Sequence, residues 1–137
     1  MGYIKLAQAQ SSLMMRTLTV AIACAVAGAS FNAAAEVIEI EVKPGEAINK
    51  QLEVKAGKFA ELCAALKANQ SVNWQFRADT TVDFNIHFHV GERVEYPERR
   101  ASVTQADGRL VARTAQTYCW MWTNPSSRSA AIEVRIH

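Results

Sequence analysis

Val82-Asp-Phe-Asn-Ile-His-Phe-His-Val90 alternates strictly between apolar and polar side chains over nine residues. Successive side chains of a β-strand point to opposite faces. The five apolar residues of this stretch therefore share one face, and the polar ones, His87 and His89 among them, share the other. The pattern predicts a half-buried strand that presents two imidazoles on its polar side.

A second stretch, Tyr118-Cys-Trp-Met-Trp-Thr-Asn124, alternates in the same way. If its aromatic side chains face the core, Cys119 and Met121 lie on the opposite face. Two soft, usually buried side chains then need a cover, which a disulfide partner, the segment 59–67, a protein partner or a metal ion would provide. The opposite register would expose two tryptophans instead, and such a patch is typical of a binding surface.

Further alternating segments recur along the chain and predict a protein built from short strands. The segment from Phe59 to Lys67 is different, because its large apolar residues fall at helical spacing and predict a short helix or an ordered loop. Asp79-Thr80-Thr81 is expected to turn the chain into the 82–90 strand, and Asp107-Gly108 is the strongest hairpin signal. We expect an all-β fold, an antiparallel β-sandwich of seven or eight strands with one short helical segment. The other predicted strands cover residues 36–43, 48–54, 72–78, 93–96, 102–103, 110–112 and 132–136.

The first 35 residues differ from the rest, since they contain none of the chain's 13 acidic residues and only two of its 15 basic ones. An apolar run precedes Ala33-Ala34-Ala35, which is the pattern of a signal peptide cleaved before Glu36. Cys24 within that run leaves a lipid-anchored form as an alternative. We therefore expect residues 1–35 to be a cleaved signal peptide and residues 36–137 to form a single periplasmic or secreted domain.

Composition excludes several classes of function for the expected mature chain, which is formally neutral. It has no basic stretch of the kind that binds nucleic acid. The N-terminal apolar run is too short and alanine-rich for a membrane span, so we expect no transmembrane segment in the mature chain. We also expect no enzyme, because the sequence has no phosphate loop or dinucleotide motif and no nucleophile beside the Asp83 and His87 pair.

Four segments together resemble the Golgi-dynamics (GOLD) domain, a β-sandwich found in secretory-pathway cargo receptors and some lipid-transfer proteins. They are Val72-x-Trp-x-Phe, Val82-Asp-Phe-Asn-Ile, Gly91-Glu-x-Val and Tyr118-Cys-Trp-Met-Trp-Thr-Asn-x-x-Ser. The resemblance covers residues 48–137 and implies a GOLD-like sandwich, with a disulfide joining Cys63 and Cys119. Cys119 lies two residues earlier than in the family pattern. The sequence shows none of the receptors' coiled coil, membrane span or cytosolic tail, so the resemblance implies the fold and not a cargo-receptor role.

The residues His87, His89, Cys119 and Met121 would form one cluster if their two strands are neighbours. Thiolate and thioether select Cu(I), and imidazole suits copper in either oxidation state, so copper is the expected cofactor. Zinc fits less well, because methionine is a poor zinc ligand. The competing interpretation is that histidines on an exposed strand face are simply solvated.

Two functions remain open at this point. The chain is either a small periplasmic copper-binding protein for storage, detoxification or delivery, or a non-catalytic GOLD-like module that binds a protein partner. The state of Cys119 separates them, because a structural disulfide with Cys63 removes the thiolate, which is the form that binds metal. His87, His89 and Met121 would then hold copper more weakly, whereas a reduced Cys119 should allow tight binding of one Cu(I).

Overall fold

The computed structural model describes residues 36–137, and these residues form seven strands and no helix. The all-β prediction is confirmed for this part of the chain. The predicted signal peptide, with Cys24, lies outside the described residues. Within the described part, no helix is long and apolar enough to cross a membrane. The strands are β1 (Glu36–Glu39), β2 (Ile48–Val54), β3 (Phe59–Leu66), β4 (Ser71–Val90), β5 (Arg93–Val111), β6 (Gln116–Thr123) and β7 (Ala130–Ile136).

The strands form one mixed sheet that curls into a half-barrel, in the order β1-β3-β6-β4-β7-β2, with β5 paired to β4 as well. The pair β1–β3 is parallel and all others are antiparallel. The predicted antiparallel sandwich is therefore only partly right. The reason is β4. Its residues 74–78 pair with β7 and its residues 83–87 pair with β6, so this one strand joins the β7–β2 half of the sheet to the β6–β3–β1 half.

Two predicted turns are wrong, because β4 and β5 run through them as continuous strands. Asp79-Thr80-Thr81 lies inside β4, where the pairing with β5 shifts register between Arg77 and Val82. Asp107-Gly108 lies inside β5, with Gly108 opposite Trp74. A Cβ atom on Gly108 would lie 2.6 Å from the Cζ2 atom of Trp74, so this glycine makes room for an indole and not for a hairpin.

The predicted helix at residues 59–67 is also wrong, because this segment forms β3. Ala60, Leu62, Ala64 and Leu66 are all buried in the core, which is the period of two of a strand. The alternation is hard to detect in the sequence because three of the eight residues are alanine, which is common both in helices and in buried strands. Pairing with β6 over the whole length of β3 decides the outcome.

The core is a cluster of apolar residues on the inner side of the curled sheet. Tyr118, Trp120 and Trp122 are buried there, so the aromatic side chains of β6 face inward. The ring of Phe84 lies 4.8 Å from that of Trp74 and 5.5 Å from that of Trp122. Aromatic packing thus ties the two halves of β4 to each other and to β6.

Asn124, which follows β6, is buried and fully hydrogen-bonded. Its Nδ2 donates to the carbonyl oxygens of Val54 and Arg128, at 2.8 and 2.7 Å. Its Oδ1 accepts from the backbone N–H and the hydroxyl of Ser126, at 3.0 and 2.7 Å. Because a buried amide is stable only when its polar atoms are paired, this residue fixes the turn into β7 against the end of β2.

Candidate metal centre

The outer face of the sheet carries a compact grid of side chains where β6 lies between β3 and β4. Cys63 is opposite Cys119, which is in turn opposite His87. In the next row along the strands, Glu61 is opposite Met121, which is opposite Asn85. Directly opposed residues on antiparallel strands have Cβ atoms about 4.5–5.5 Å apart, so side chains from three strands meet here. The structure therefore brings together His87, Cys119 and Met121, as the metal hypothesis requires.

Cys63 and Cys119 form a disulfide bond, with Cα atoms 4.1 Å apart and a separation of 56 positions in sequence. Cys119 is thus covered by Cys63. Cys63 is both a disulfide partner and a part of the segment 59–67, which the sequence analysis considered as two separate covers. A disulfide sulfur carries no negative charge and is a poor metal ligand. The assignment of Cys119 as a thiolate ligand is therefore corrected for the oxidised protein.

The imidazole of His87 is buried, with 7% of the residue exposed, and each of its nitrogens faces an oxygen. Nδ1 lies 2.9 Å from Oδ1 of Asn85, and Nε2 lies 3.7 Å from Oε2 of Glu61. A carbonyl oxygen can only accept a hydrogen bond, so Nδ1 carries the hydrogen and donates to Asn85. In the neutral ring, Nε2 then presents its lone pair to the Glu61 carboxyl. The separation of 3.7 Å is too long for a hydrogen bond between them.

Burial opposes charge on both members of this pair. It raises the pKa of the Glu61 carboxyl above its ordinary value, and the charge of His89 partly offsets the rise. It also lowers the pKa of the His87 imidazole, and the charge of His89 lowers it further. Both shifts disfavour a simple carboxylate–imidazolium pair. A neutral imidazole with its second nitrogen oriented by an amide oxygen is the form in which histidine binds metals.

His89 lies beside the grid and is exposed, in contrast to His87. The centroids of the two imidazole rings are 5.5 Å apart and the ring planes are nearly perpendicular. On the other side, the ring of Tyr96 in β5 lies 5.9 Å from that of His87. The guanidinium of Arg99 sits 3.6 Å above the Tyr96 ring. The site is therefore bordered by two exposed aromatic rings, and His89 is the donor nearest to solvent.

Glu61 is the residue that the sequence analysis missed. Its carboxylate oxygen, a nitrogen of His87 and Sγ of Cys119 lie within 4.8 Å of one another, the one such group found among residues 36–137. The sequence signal was available, because a strand at 59–66 would have placed Glu61 and Cys63 on one face. The helical interpretation of that segment concealed it.

Neither a protein family nor a curated protein matches this chain. Among solved structures, it is similar to the pre-peptidase C-terminal domain of a Bacillus anthracis collagenase, with a TM-score of 0.60, 8% identity, and coverage of 76% of this chain and 97% of that one. It is similar to PliG of Aeromonas hydrophila, a periplasmic inhibitor of g-type lysozyme, with a TM-score of 0.56, 13% identity, and coverage of 75% and 97%.

CorA of Methylomicrobium album BG8, a surface-associated copper-binding protein, gives a TM-score of 0.48 at 6% identity over 75% of this chain and 98% of that one. A likeness that weak carries no argument about metal. The two stronger likenesses show a small all-β fold shared with the collagenase domain and PliG. The GOLD-like label stays a prediction.

Proposed function

We propose that this chain is a small exported protein that binds a divalent transition-metal ion, copper(II) in the first place, through Glu61, His87 and His89. The observation that carries the proposal is the pair of acceptors formed by His87 Nε2 and Glu61 Oε2, 3.7 Å apart on a partly buried face. When the carboxyl is ionised and the imidazole is neutral, two such atoms repel, and either a proton or a metal ion between them relieves the repulsion. A divalent ion would bind the neutral imidazole and the carboxylate together and would offset the cost of burying both.

The spacing of the two atoms suits a shared ion. Neighbouring donors of a square-planar copper(II) ion, at about 2.0–2.2 Å from it, lie about 2.8–3.1 Å from each other, and those of a tetrahedral ion lie about 3.3–3.6 Å apart. The separation of 3.7 Å therefore has to shorten on binding, which rotation of the two side chains allows, by more for copper(II) than for a tetrahedral ion. His89 is close enough to supply a third donor, because its ring centroid is 5.5 Å from that of His87 and the residue is exposed.

The donor set favours copper(II) over other common divalent ions. Two imidazoles and one carboxylate form a nitrogen–oxygen site, and copper(II) binds such sites most tightly in the first transition series. Met121 lies in the next row of the grid and offers a weak thioether contact. Asn85 orients His87 from behind, as outer hydrogen-bond partners commonly do for metal-binding histidines.

An exported location fits this assignment, because oxidising compartments preserve disulfides such as the one that holds β3 against β6. We propose a periplasmic or secreted location on the basis of the N-terminal pattern, and the PliG fold is that of a periplasmic protein. We further propose that the protein is not an enzyme and serves storage, detoxification or delivery of the ion.

The test is a copper(II) titration of oxidised protein followed by calorimetry and electron paramagnetic resonance. We expect one ion per chain, with hyperfine structure from imidazole nitrogen. His87→Ala should abolish site-specific binding, whereas Glu61→Gln and His89→Ala should each weaken it by about 10–100-fold. The third histidine, His137, is the matched control. Equal copper(II) affinity for wild type, His87→Ala and His137→Ala would refute the proposal. Tighter binding of zinc than of copper(II) would make zinc the ion of this site.

A second candidate function is a GOLD-like interaction module that binds a protein. The observation that favours it is β5, which pairs with β4 along one edge, while among the described strands nothing pairs with its other edge. Two of the large exposed apolar residues, Tyr96 and Val111, lie on β5. An open edge of this kind can add a partner's strand. Because the fold is shared with PliG, the direct test is residual activity of a g-type lysozyme after addition of this protein. Unchanged activity would exclude that partner.

A further inference from the structure

We propose that reduction of the Cys63–Cys119 disulfide converts the same face into a copper(I) site formed by both thiolates, the His87 imidazole and the Met121 thioether. The proposal rests on the proposed function only for the role of His87. It adds Cys63 as a donor, and it makes the disulfide the element that decides which oxidation state of copper the protein holds.

The position of the disulfide supports this role. Both cysteines are buried, with 6% and 7% of their surface exposed. They lie on the face of the sheet that carries His87 and Glu61, and Sγ of Cys119 is within 4.8 Å of a ligand atom of each. Thiolates released by exchange with a dithiol are therefore next to the other donors.

The exchange reaction reduces the disulfide without changing the oxidation state of copper. A reduced dithiol attacks the disulfide and becomes a disulfide itself, and Cys63 and Cys119 take up two electrons and two protons as thiols. Binding of Cu(I) then releases those two protons, because thiolates are the ligands. Copper enters and remains in the +1 state. Reoxidation of the pair by a disulfide oxidant removes both thiolates and ejects Cu(I).

The register places the four donors together after reduction. Cys63, Cys119 and His87 form one row across three strands, and Met121 lies two residues from Cys119 on the same face of β6. Sγ of Cys119 is already within 4.8 Å of a His87 nitrogen. Two thiolates, one thioether and one imidazole are the soft donors that select Cu(I), whereas the carboxylate of Glu61 suits harder ions. The two redox states of one face thus favour different ions.

The experiment compares oxidised protein with protein reduced by a phosphine under nitrogen and freed of the phosphine. Each is titrated with Cu(I) in competition with bicinchoninate, a coloured Cu(I) chelator. Reduced protein should bind one Cu(I) at least about 100-fold more tightly than oxidised protein. Cys63→Ser with Cys119→Ser should show the weak affinity of the oxidised form under both conditions. Met121→Leu, which keeps the volume and the cysteines, should weaken Cu(I) binding by about tenfold in the reduced protein alone.

Separate outcomes test the two proposals. Glu61→Gln should weaken copper(II) binding in the oxidised protein by about 10–100-fold and leave Cu(I) binding in the reduced protein unchanged. Failure of one proposal therefore leaves the other measurable. Equal Cu(I) affinity in the two redox states overturns the inference. Loss of the strand signal in circular dichroism on reduction, with exposure of the buried tryptophans, overturns it as well, because the donors would no longer share a face.

Discussion

The two ends of β4 have the same inner face and very different outer faces. Val72, Trp74 and Phe76 at the first end and Val82, Phe84 and Ile86 at the second all pack in the core. β5 pairs with both ends along one edge of β4. Along the other edge the first end meets β7, and a groove of about 810 Å³ lies on the outer face there, lined by Gln75, Arg77 and Glu133 among others. The second end meets β6 and, beyond it, β3, and this is where the disulfide and the Glu61–His87 pair lie.

The inner face, which the two ends share, specifies the fold, whereas the outer face of the second end carries the candidate site. The groove at the first end is lined mostly by exposed amides and charged side chains, which need no ligand. The second end holds a buried imidazole that faces a carboxyl. We place the site by its chemistry and not by its volume.

The largest expected effect removes the aromatic contact between the two ends. Phe84→Ala should lower the free energy of unfolding by about 3–5 kcal/mol, the usual cost of deleting a buried aromatic ring. Phe84 packs on Trp74, Phe76 and Trp122, so the loss is felt at both ends. Urea titration would measure it, with Gln75→Ala on the outer face as a control expected within about 0.5 kcal/mol of wild type. Similar values for the two variants would mean that the inner face is misassigned.

Removing the disulfide, which lies at the second end, should have the next largest effect. Cys63→Ala with Cys119→Ala should cost about 2–4 kcal/mol, because the crosslink closes a long loop in the unfolded chain. Thermal unfolding of oxidised and double-variant protein would show it. Alkylation of both thiols in denatured, air-oxidised wild type would contradict the disulfide itself.

The inner face of the sheet was predictable from sequence, because the alternation of apolar and polar residues is a local signal. The period of two at 72–78, 82–86 and 118–123 indicated which side chains face the core, and the structure agrees. At the end of β4 the prediction is wrong for Val90, which is exposed, and the polar-face residue His87 is buried. The turns failed for a physical reason. Gly108 lies in an unbroken antiparallel ladder with β4, which outweighs its local preference for a turn. At Asp79 the ladder with β5 shifts register, and the carboxylate accepts hydrogen bonds from Arg128 and from the backbone N–H of Ala131.

The outer face was predictable only in part because it depends on which strands are neighbours. His87, Cys119 and Met121 were found from two strands that each show their own alternation. Glu61 comes from a strand whose alanines resemble a helix, and its place opposite Met121 follows only from the pairing of β3 with β6. The disulfide was expected from two cysteines in an oxidising compartment and from the GOLD-like resemblance.

A smaller effect is expected from Gly108, at the first end of β4. Gly108→Ala should destabilise the protein by about 1–3 kcal/mol, because the added methyl group would press on the buried indole of Trp74. If Gly108 served a hairpin instead, space at Trp74 would not matter. The double variant with Trp74→Phe tests this, since a smaller ring should recover part of the cost of the alanine. Purely additive effects of the two changes, measured by urea titration, would contradict the contact.

The smallest effect is expected at Asp79, at the junction of the two ends, and it should depend on pH. Asp79 accepts from Nη1 of Arg128 and from the backbone N–H of Ala131, both at 2.9 Å, which ties the middle of β4 to the start of β7. These hydrogen bonds, the one from Arg128 first, hold the pKa of the Asp79 carboxyl below its ordinary value. A lowered pKa in the folded state means that the unfolded chain binds the proton more readily. The stabilisation is therefore complete above the ordinary aspartate pKa of about 3.9 and is lost as pH falls through the lower folded value.

Asp79→Asn removes this titration, so its thermal midpoint should fall below that of wild type at pH 7 and approach it at pH 2. Because the carboxyl is exposed, added salt should shrink the difference at pH 7. Asp107→Asn, a second exposed aspartate on the neighbouring strand, is the matched control. A gap between Asp79→Asn and wild type that stays constant from pH 7 to pH 2 would show that Asp79 does not pin the junction through its charge.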